Sequence, residues 1–220
     1  MLRFYATLMI TQDVERQIQQ GIEVLRRGGL VAFPTDTVYG LGASALIDSA
    51  VERVYEVKGR RRHLALPLLL ADVADLPKAA REVPELAWKL AGRFLPGGLT
   101  LVLWKAAWVS KVISGGGETV AVRIPNHPVP LALIRGLGSP LTGTSANPSG
   151  KPSPLTAEEV RHYLGPSLGL IIDSGRCPGA IESTVVDLTG ERPRLLREGA
   201  VPRRDLEAVC GTALEVVGRG

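Results

Sequence analysis

Four runs of this 220-residue chain are too apolar to keep a wet face: LVAFP (Leu30–Pro34), LPLLLAD (Leu66–Asp72), LTLVLW (Leu99–Trp104) and TVAVRIP (Thr119–Pro125). A half-exposed strand alternates apolar and polar residues, whereas a strand covered on both sides reads as a nearly continuous apolar run. Amphipathic segments lie around them. Asp13–Arg27 puts Val14, Ile18, Ile22 and Leu25 on one helical face and stops at Gly28 and Gly29. Asp48–Gly59 reads as a helix capped by Asp48, with Val51, Val54 and Tyr55 turned inward. Pro84 opens a helix that runs to Gly97, and a further helix covers about Val129 to Arg135. Thr156 and Glu159 form a capping box for a helix that ends at Gly165. The last third adds strand patterns at LGLIID, STVVDL, RLLREG and ALEVV, with a short helix over PRRDLEAVCG. Covered strands interleaved with helices predict an α/β, mixed α+β, fold around one large sheet.

A content of 45% hydrophobic and 22% charged residues suffices for a large core, and 220 residues suit one α/β unit. No composition shift marks a boundary, so residues 1–220 read as a single domain with its core over about 13–200 and a tail over 201–220. The net charge of +4 is compatible with an anionic partner, a nucleotide or RNA, and equally with a modest positive excess. Two cysteines in unrelated contexts and three scattered histidines argue against a zinc site and fit a reducing compartment. The N-terminal stretch lacks a long apolar core and a small-residue cleavage site, and no run reaches the length of a membrane span, so the expected location is the cytoplasm with no membrane partner. Walker A, GxGxxG, HExxH, GxSxG and CxxC patterns are all absent.

Several polar segments stand out against this apolar background. FPTDTVYGLG (Phe33–Gly42) follows a buried strand, carries the oxygens of Thr35, Asp36, Thr37 and Tyr39, and reads as a turn into a helix, where α/β folds bind ligands. KGRRRH (Lys58–His63) packs four cations into five residues, either as a solvated helix end or as a phosphate clamp. Arg123 interrupts an apolar strand and must meet either an acid or a ligand pocket; the proline-bounded strand end favours the pocket. SPLTGTSANPSGKPSP (Ser139–Pro154) has the composition of a linker, yet core-like elements flank it on both sides, so it reads better as a loop packed on the end of the sheet. Ser183 and Thr184 begin one strand and Arg197 ends another.

Taken in order, PTDTVYGLG, KGR…PL, VAVRIPNHP, TSANPSGKPSP, ESTVVDL and LREG resemble the YrdC/TsaC family of threonylcarbamoyl-AMP synthases in its short form, over about residues 13 to 200. The resemblance implies a twisted, largely mixed sheet flanked by helices, with a concave basic face. It implies synthesis of L-threonylcarbamoyl-AMP and pyrophosphate from L-threonine, bicarbonate or CO2, and ATP with Mg2+ as the accompanying ion and no metal ligands from the protein. The product serves a downstream threonylcarbamoyl transferase complex that modifies tRNA beside the anticodon. Carried over by position, Thr37, Arg123, Gly143 and Ser183 would bind threonine. Lys58 and Arg60, the K-x-R pair, would hold the triphosphate and act in catalysis, with Thr119, Ser145, Asn147, Ser153 and Arg197 as further ATP contacts. The chain departs from the family pattern after Arg60, where RRHLALPL replaces a short polar connection; a nucleotide contact there would be lost or moved to Arg61, Arg62 or His63. Two other readings compete: a carbamoyl-adenylate-forming relative, and a non-catalytic protein binding tRNA or double-stranded RNA. The second has little support from base stacking, since aromatic residues make up 5% of the chain.

Overall fold

The structure is a computed structural model that describes residues 10–179 and 181–217. The leader reading of the N-terminus rests mostly on residues 1–9, outside the described residues, as do the last three residues of the tail.

The chain opens with α1 (Gln12–Arg26), capped by the Thr11 hydroxyl, which accepts from Val14 N. Its buried face is Val14, Ile18, Gly21, Ile22 and Leu25, the apolar stripe read from the sequence. Then come β1 (Val31–Phe33), β2 (Gly40–Gly42), α2 (Asp48–Lys58), β3 (Leu68–Leu69), α3 (Leu76–Ala79), α4 (Glu85–Phe94), β4 (Leu99–Trp104) and β5 (Thr119–Arg123). The second half holds α5 (Pro128–Leu137), β6 (Leu141–Thr142), β7 (Thr144–Ser145), α6 (Ala157–Leu164), β8 (Leu170–Ile171), β9 (Thr184–Asp187), β10 (Arg194–Arg197), α7 (Arg203–Cys210) and β11 (Glu215–Val216).

The mixed α/β class holds, but the expected single sheet is two. A four-stranded sheet has the order β7-β2-β1-β8, and a seven-stranded sheet the order β11-β10-β9-β4-β5-β3-β6. Parallel and antiparallel neighbours occur in both; β1 pairs antiparallel with β2 and parallel with β8, and β4 pairs antiparallel with β5 and parallel with β9. The division follows from the segment after β1. It does lead to a helix, α2, as its position suggested, but first doubles back so that Phe33 faces Gly40 and Val31 faces Gly42. Gly40 and Gly42 flank the Phe33 ring, and a Cβ on either would lie 2.8 Å from it. These glycines clear room for an aromatic ring within the hairpin.

Two helix boundaries also move. Asp48 does not cap α2; Ile47 holds the cap position without a side-chain bond, and Asp48 is the first helical residue, where its charge suits the helix dipole. α4 stops at Phe94, three residues before Gly97. The Thr156 cap of α6 is present, accepting from Glu159 N at 3.2 Å, while the Glu159 carboxylate reaches back one residue further to Leu155 N at 2.6 Å.

Apolar packing falls into two clusters. α1 and α5 cover one face of β1 through Ile18, Ile22, Leu25, Val31, Phe33 and Leu133. The larger cluster joins the seven-stranded sheet to α2, α3, α4 and α6 through residues such as Leu68, Leu90, Leu101, Val122 and Val160. The segment after residue 200 adds to this body: β11 pairs parallel with β10, and Leu206 of α7 is fully buried. Among the described residues no helix is long and apolar enough to cross a membrane.

Candidate functional site

Thr35 ends the apolar path of β1, and its hydroxyl organises the turn that follows. It accepts from Thr37 N at 3.0 Å and donates to Val38 O at 2.7 Å, so local hydrogen bonds hold the threonine pair at the sheet end. β5 brings Arg123 to the same place. Its Nε donates to Gly97 O at 3.0 Å, one Nη to Thr37 Oγ1 at 3.1 Å and the other to Asp36 Oδ1 at 2.8 Å. Asp36 also accepts from Asn126 N at 3.0 Å. The two options open for Arg123, an acid or a pocket, are both realised: it pairs with Asp36 and lines the cavity. Burial pulls its guanidinium pKa down, and Asp36 opposes that pull.

The opposite wall comes from the crossing between the sheets. β6 belongs to the large sheet and β7 to the small one, with Gly143 as the single residue between them. A Cβ on Gly143 would lie 2.4 Å from Leu69 Cγ, so only glycine lets the chain pass this close to β3. Gly143, Thr144 and Ser145 then line the cavity. The third wall is the start of β9 and the end of β10. Arg197 donates from Nε to Ser183 O at 3.0 Å and forms an ion pair with Glu182. Ser183 Oγ lies 2.8 Å from Thr100 Oγ1, and Ser153 Oγ donates to Glu182 Oε1 at 2.9 Å.

Arg60 closes the ring from the turn after α2. Its Nε and one Nη donate to Leu64 O and Ala65 O, and the guanidinium lines the cavity. Desolvation pulls its pKa down. The cavity is thus walled by three guanidiniums, those of Arg60, Arg123 and Arg197, one carboxylate, Glu182, and the hydroxyls of Thr35, Thr37, Thr100, Thr144, Ser145 and Ser183. Such a lining suits an oxygen-rich anion with room for more than one negative group.

The fold therefore gathers Thr37, Arg60, Arg123, Gly143, Ser145, Ser183 and Arg197 around one cavity. Asn147 and Ser153 adjoin it through the loop that follows Ser145, and Lys58 lies behind that loop with its ammonium on the carbonyls of Ser145 and Asn147. Thr119 does not line the cavity. It faces Trp104 four residues back along β5 from Arg123, roughly 13 Å away at the usual rise of a strand. Arg61, Arg62 and His63 do not line it either, and Arg62 is turned onto α2, 3.4 Å from Glu52 and 3.6 Å from Glu56. Sequence reasoning missed Asp36 as the partner of Arg123 and missed Glu182 and Thr100 altogether. The first had a signal: an acid was one of the two partners open to an arginine in an apolar strand, and PTDT offers one.

A profile of the family described as Telomere recombination (Sua5_yciO_yrdC) matches residues 23–199. The threonylcarbamoyl-AMP synthase of Pyrococcus abyssi is 47% identical over 197 residues, 90% of this chain and 58% of that protein. The enzyme of the same name from Bacillus subtilis is 45% identical over 196 residues, 89% of this chain and 57% of that protein. The crystal structure of P. abyssi Sua5 complexed with L-threonine superimposes with a TM-score of 0.89 at 46% identity, covering 92% of this chain and 59% of that one. The chain thus spans rather more than half the length of these relatives. Sequence, fold and the run of motifs around the cavity agree that the chain belongs to the Sua5/YciO/YrdC family.

Proposed function

We propose that this chain carries out ATP-dependent synthesis of L-threonylcarbamoyl-AMP from L-threonine and bicarbonate or CO2, releasing pyrophosphate. The observation that carries the reading is the placing of three guanidiniums and a set of hydroxyls around one cavity, with Arg123 already oriented by Asp36. A substrate bearing a carboxylate and a second bearing a triphosphate need cations on two sides of one space, and this lining has them. The L-threonine bound to the P. abyssi relative supports the choice of amino acid.

In this reading Arg123, Thr37, Gly143 and Ser183 receive L-threonine or its carbamate. Arg60 and Arg197 face the triphosphate, and Ser145, Asn147 and Ser153 complete the nucleotide site. Thr119 would act only at the outer end of a long ligand. The threonine amine attacks CO2 and gives a carbamate and a proton; a carbamate oxygen then attacks the α-phosphorus as the bond to pyrophosphate breaks. No side chain becomes a covalent nucleophile. The protein acts by holding the reactants in register and by setting fixed positive charge where negative charge gathers. Mg2+ belongs to the reading as the ion that accompanies ATP and shields its phosphates. Glu182, the carboxylate of the lining, is already engaged by Arg197 and Ser153, so the ion's ligands would come from phosphate and water. A tRNA-modifying transferase as consumer of the adenylate and a cytoplasmic location complete the proposal.

The test is pyrophosphate release from ATP with L-threonine and bicarbonate supplied together or singly. Release that needs both is the expected result. Turnover indifferent to threonine would overturn the reading, and turnover with carbamoyl phosphate in place of threonine and bicarbonate would move the chain to carbamoyl-adenylate chemistry.

A further inference from the structure

Lys58 is the last residue of α2 and one of the least exposed charged residues among those described, at 3%. Its ammonium carries three N–H groups. Two of them go to main-chain carbonyls, those of Ser145 and, at 2.6 Å, Asn147. Its own carbonyl accepts from Ser149 N at 2.8 Å. One residue thus holds positions 145, 147 and 149 of a loop that forms part of the cavity wall. The loop is well organised beyond these points: Ala146 N donates to Tyr39 O at 2.9 Å, and the Asn147 amide donates to Pro148 O and Lys151 O. The orientation of Asn147 that follows leaves its Oδ1 buried with no hydrogen-bond partner among the described residues.

Arg60, two residues on, contrasts with this arrangement. Two of its five N–H groups serve Leu64 O and Ala65 O, and the rest of the guanidinium lines the cavity. Lys58 does not line the cavity. Were its ammonium to leave for a phosphate, two carbonyls would lose their charged donor in a buried place, and such groups are expensive to leave unpaired.

We infer that Lys58 is the positioning residue of the 145–149 loop, that it sets Ser145 in the cavity wall and Asn147 beside it through their carbonyls, and that phosphate is met by Arg60 and Arg197. The inference rests on the nucleotide reading of the cavity for its second half only; the loop-holding half stands on geometry. Burial, with Arg60 beside it, pulls the ammonium pKa down to about 8 while Glu182 opposes the pull. The group therefore keeps its charge at neutral pH, and the two carbonyls are the solvation it has there.

Lys58→Met keeps the length of the side chain and removes its donors. Hydrogen exchange over residues 144–153, measured without ligand, should speed up at least about tenfold, the scale of losing one hydrogen bond to a charged group. Unchanged exchange would overturn the positioning role. Calorimetry on the same variant then separates the two kinds of residue. A loop-positioning lysine weakens ATP and adenosine by similar factors, whereas a phosphate ligand weakens ATP and spares adenosine, which would overturn the inference. Should the variant not fold, the wild-type protein still decides. The 15N signal of the Lys58 ammonium should stay in place when a non-hydrolysable ATP analogue is added; a shift that follows analogue occupancy would overturn the assignment. A wild-type protein that binds no ATP at all would refute the nucleotide reading, while the loop exchange would still decide what Lys58 does.

Discussion

Two arginines of the cavity wall, Arg123 and Arg197, each pair with a carboxylate, and the two pairs share their chemistry but not their surroundings. Arg123 and Asp36 keep side-chain exposures of 11% and 16%, and Arg197 and Glu182 keep 36% and 39%. The first pair is welded into the turn after β1: each member has further bonds, to Gly97, Thr37 and Asn126, and neither can move without stranding the other. The second pair sits at the mouth, within reach of water and of any anion that enters. A buried pair fixes geometry, because breaking it leaves an unpaired charge in a poor solvent; an exposed pair is nearly neutral in energy and can be exchanged for a ligand. One side of the site is built in advance, and the other is open to substitution by what it binds.

The strongest test of that contrast is Asp36→Ala. It leaves Arg123 buried without its carboxylate and should cost about 3–5 kcal/mol of folding stability in a denaturant titration. A loss below about 1 kcal/mol would put the two pairs in the same class. Next in size is the effect of acid on the buried side. His127 caps α5 by accepting from Val129 N at 3.2 Å, and burial pushes its pKa down to about 4 against a weak upward pull from Asp36. The fold holds the neutral ring, so its contribution is complete above the unfolded value near 6.5 and is lost as pH falls towards 4, a total of roughly 3 kcal/mol. His127→Asn keeps a capping oxygen, and its stability should fall less than that of the wild type between pH 6.5 and pH 4. Equal slopes would show that protonation of this ring is not opposed by the fold. The smallest effect belongs to the mouth. Glu182→Gln should change stability by no more than about 1 kcal/mol. By releasing Arg197 from its counter-ion it should tighten the binding of a triphosphate at low salt more than at high salt. A weaker triphosphate affinity in calorimetry would mean that Glu182 holds the ligand and does not compete with it.

The same contrast explains what the sequence could disclose. The longer helices announced themselves through spacing, as in α1, because a stripe every three or four residues is a local property, whereas the four-residue α3 did not. The longer strands did so through unbroken apolar composition, as in β4 and β5. By contrast β2, β6 and β7 are two or three residues long, rich in glycine, threonine and serine, and exist because another strand lies beside them. No local pattern encodes that partnership, so β2 between Phe33 and α2 went unread and the two sheets read as one. The family resemblance named Thr37, Arg60, Arg123, Gly143, Ser145, Ser183 and Arg197, and the fold brings all seven to one cavity. It also named Thr119, which lies four residues back along β5 and outside the cavity lining, and it was silent about Asp36 because motifs record which residues recur and not which side chain each one leans on.

The passage from β6 to β7 has a consequence for how the protein can be cut and rejoined. The strand path changes sheets across one residue, Gly143, and the Leu69 side chain of β3 fills the space where a Cβ of that residue would lie. The two sheets are therefore stitched together at a point on the wall of the cavity. Splitting the chain into fragments between Thr142 and Thr144, or opening new termini there, removes the stitch that sets the width of the cavity. The exposed bend at Gly150 and Lys151, a few residues on, carries no strand pairing, so a break there would spare both sheets while freeing the Asn147 amide from Lys151 O.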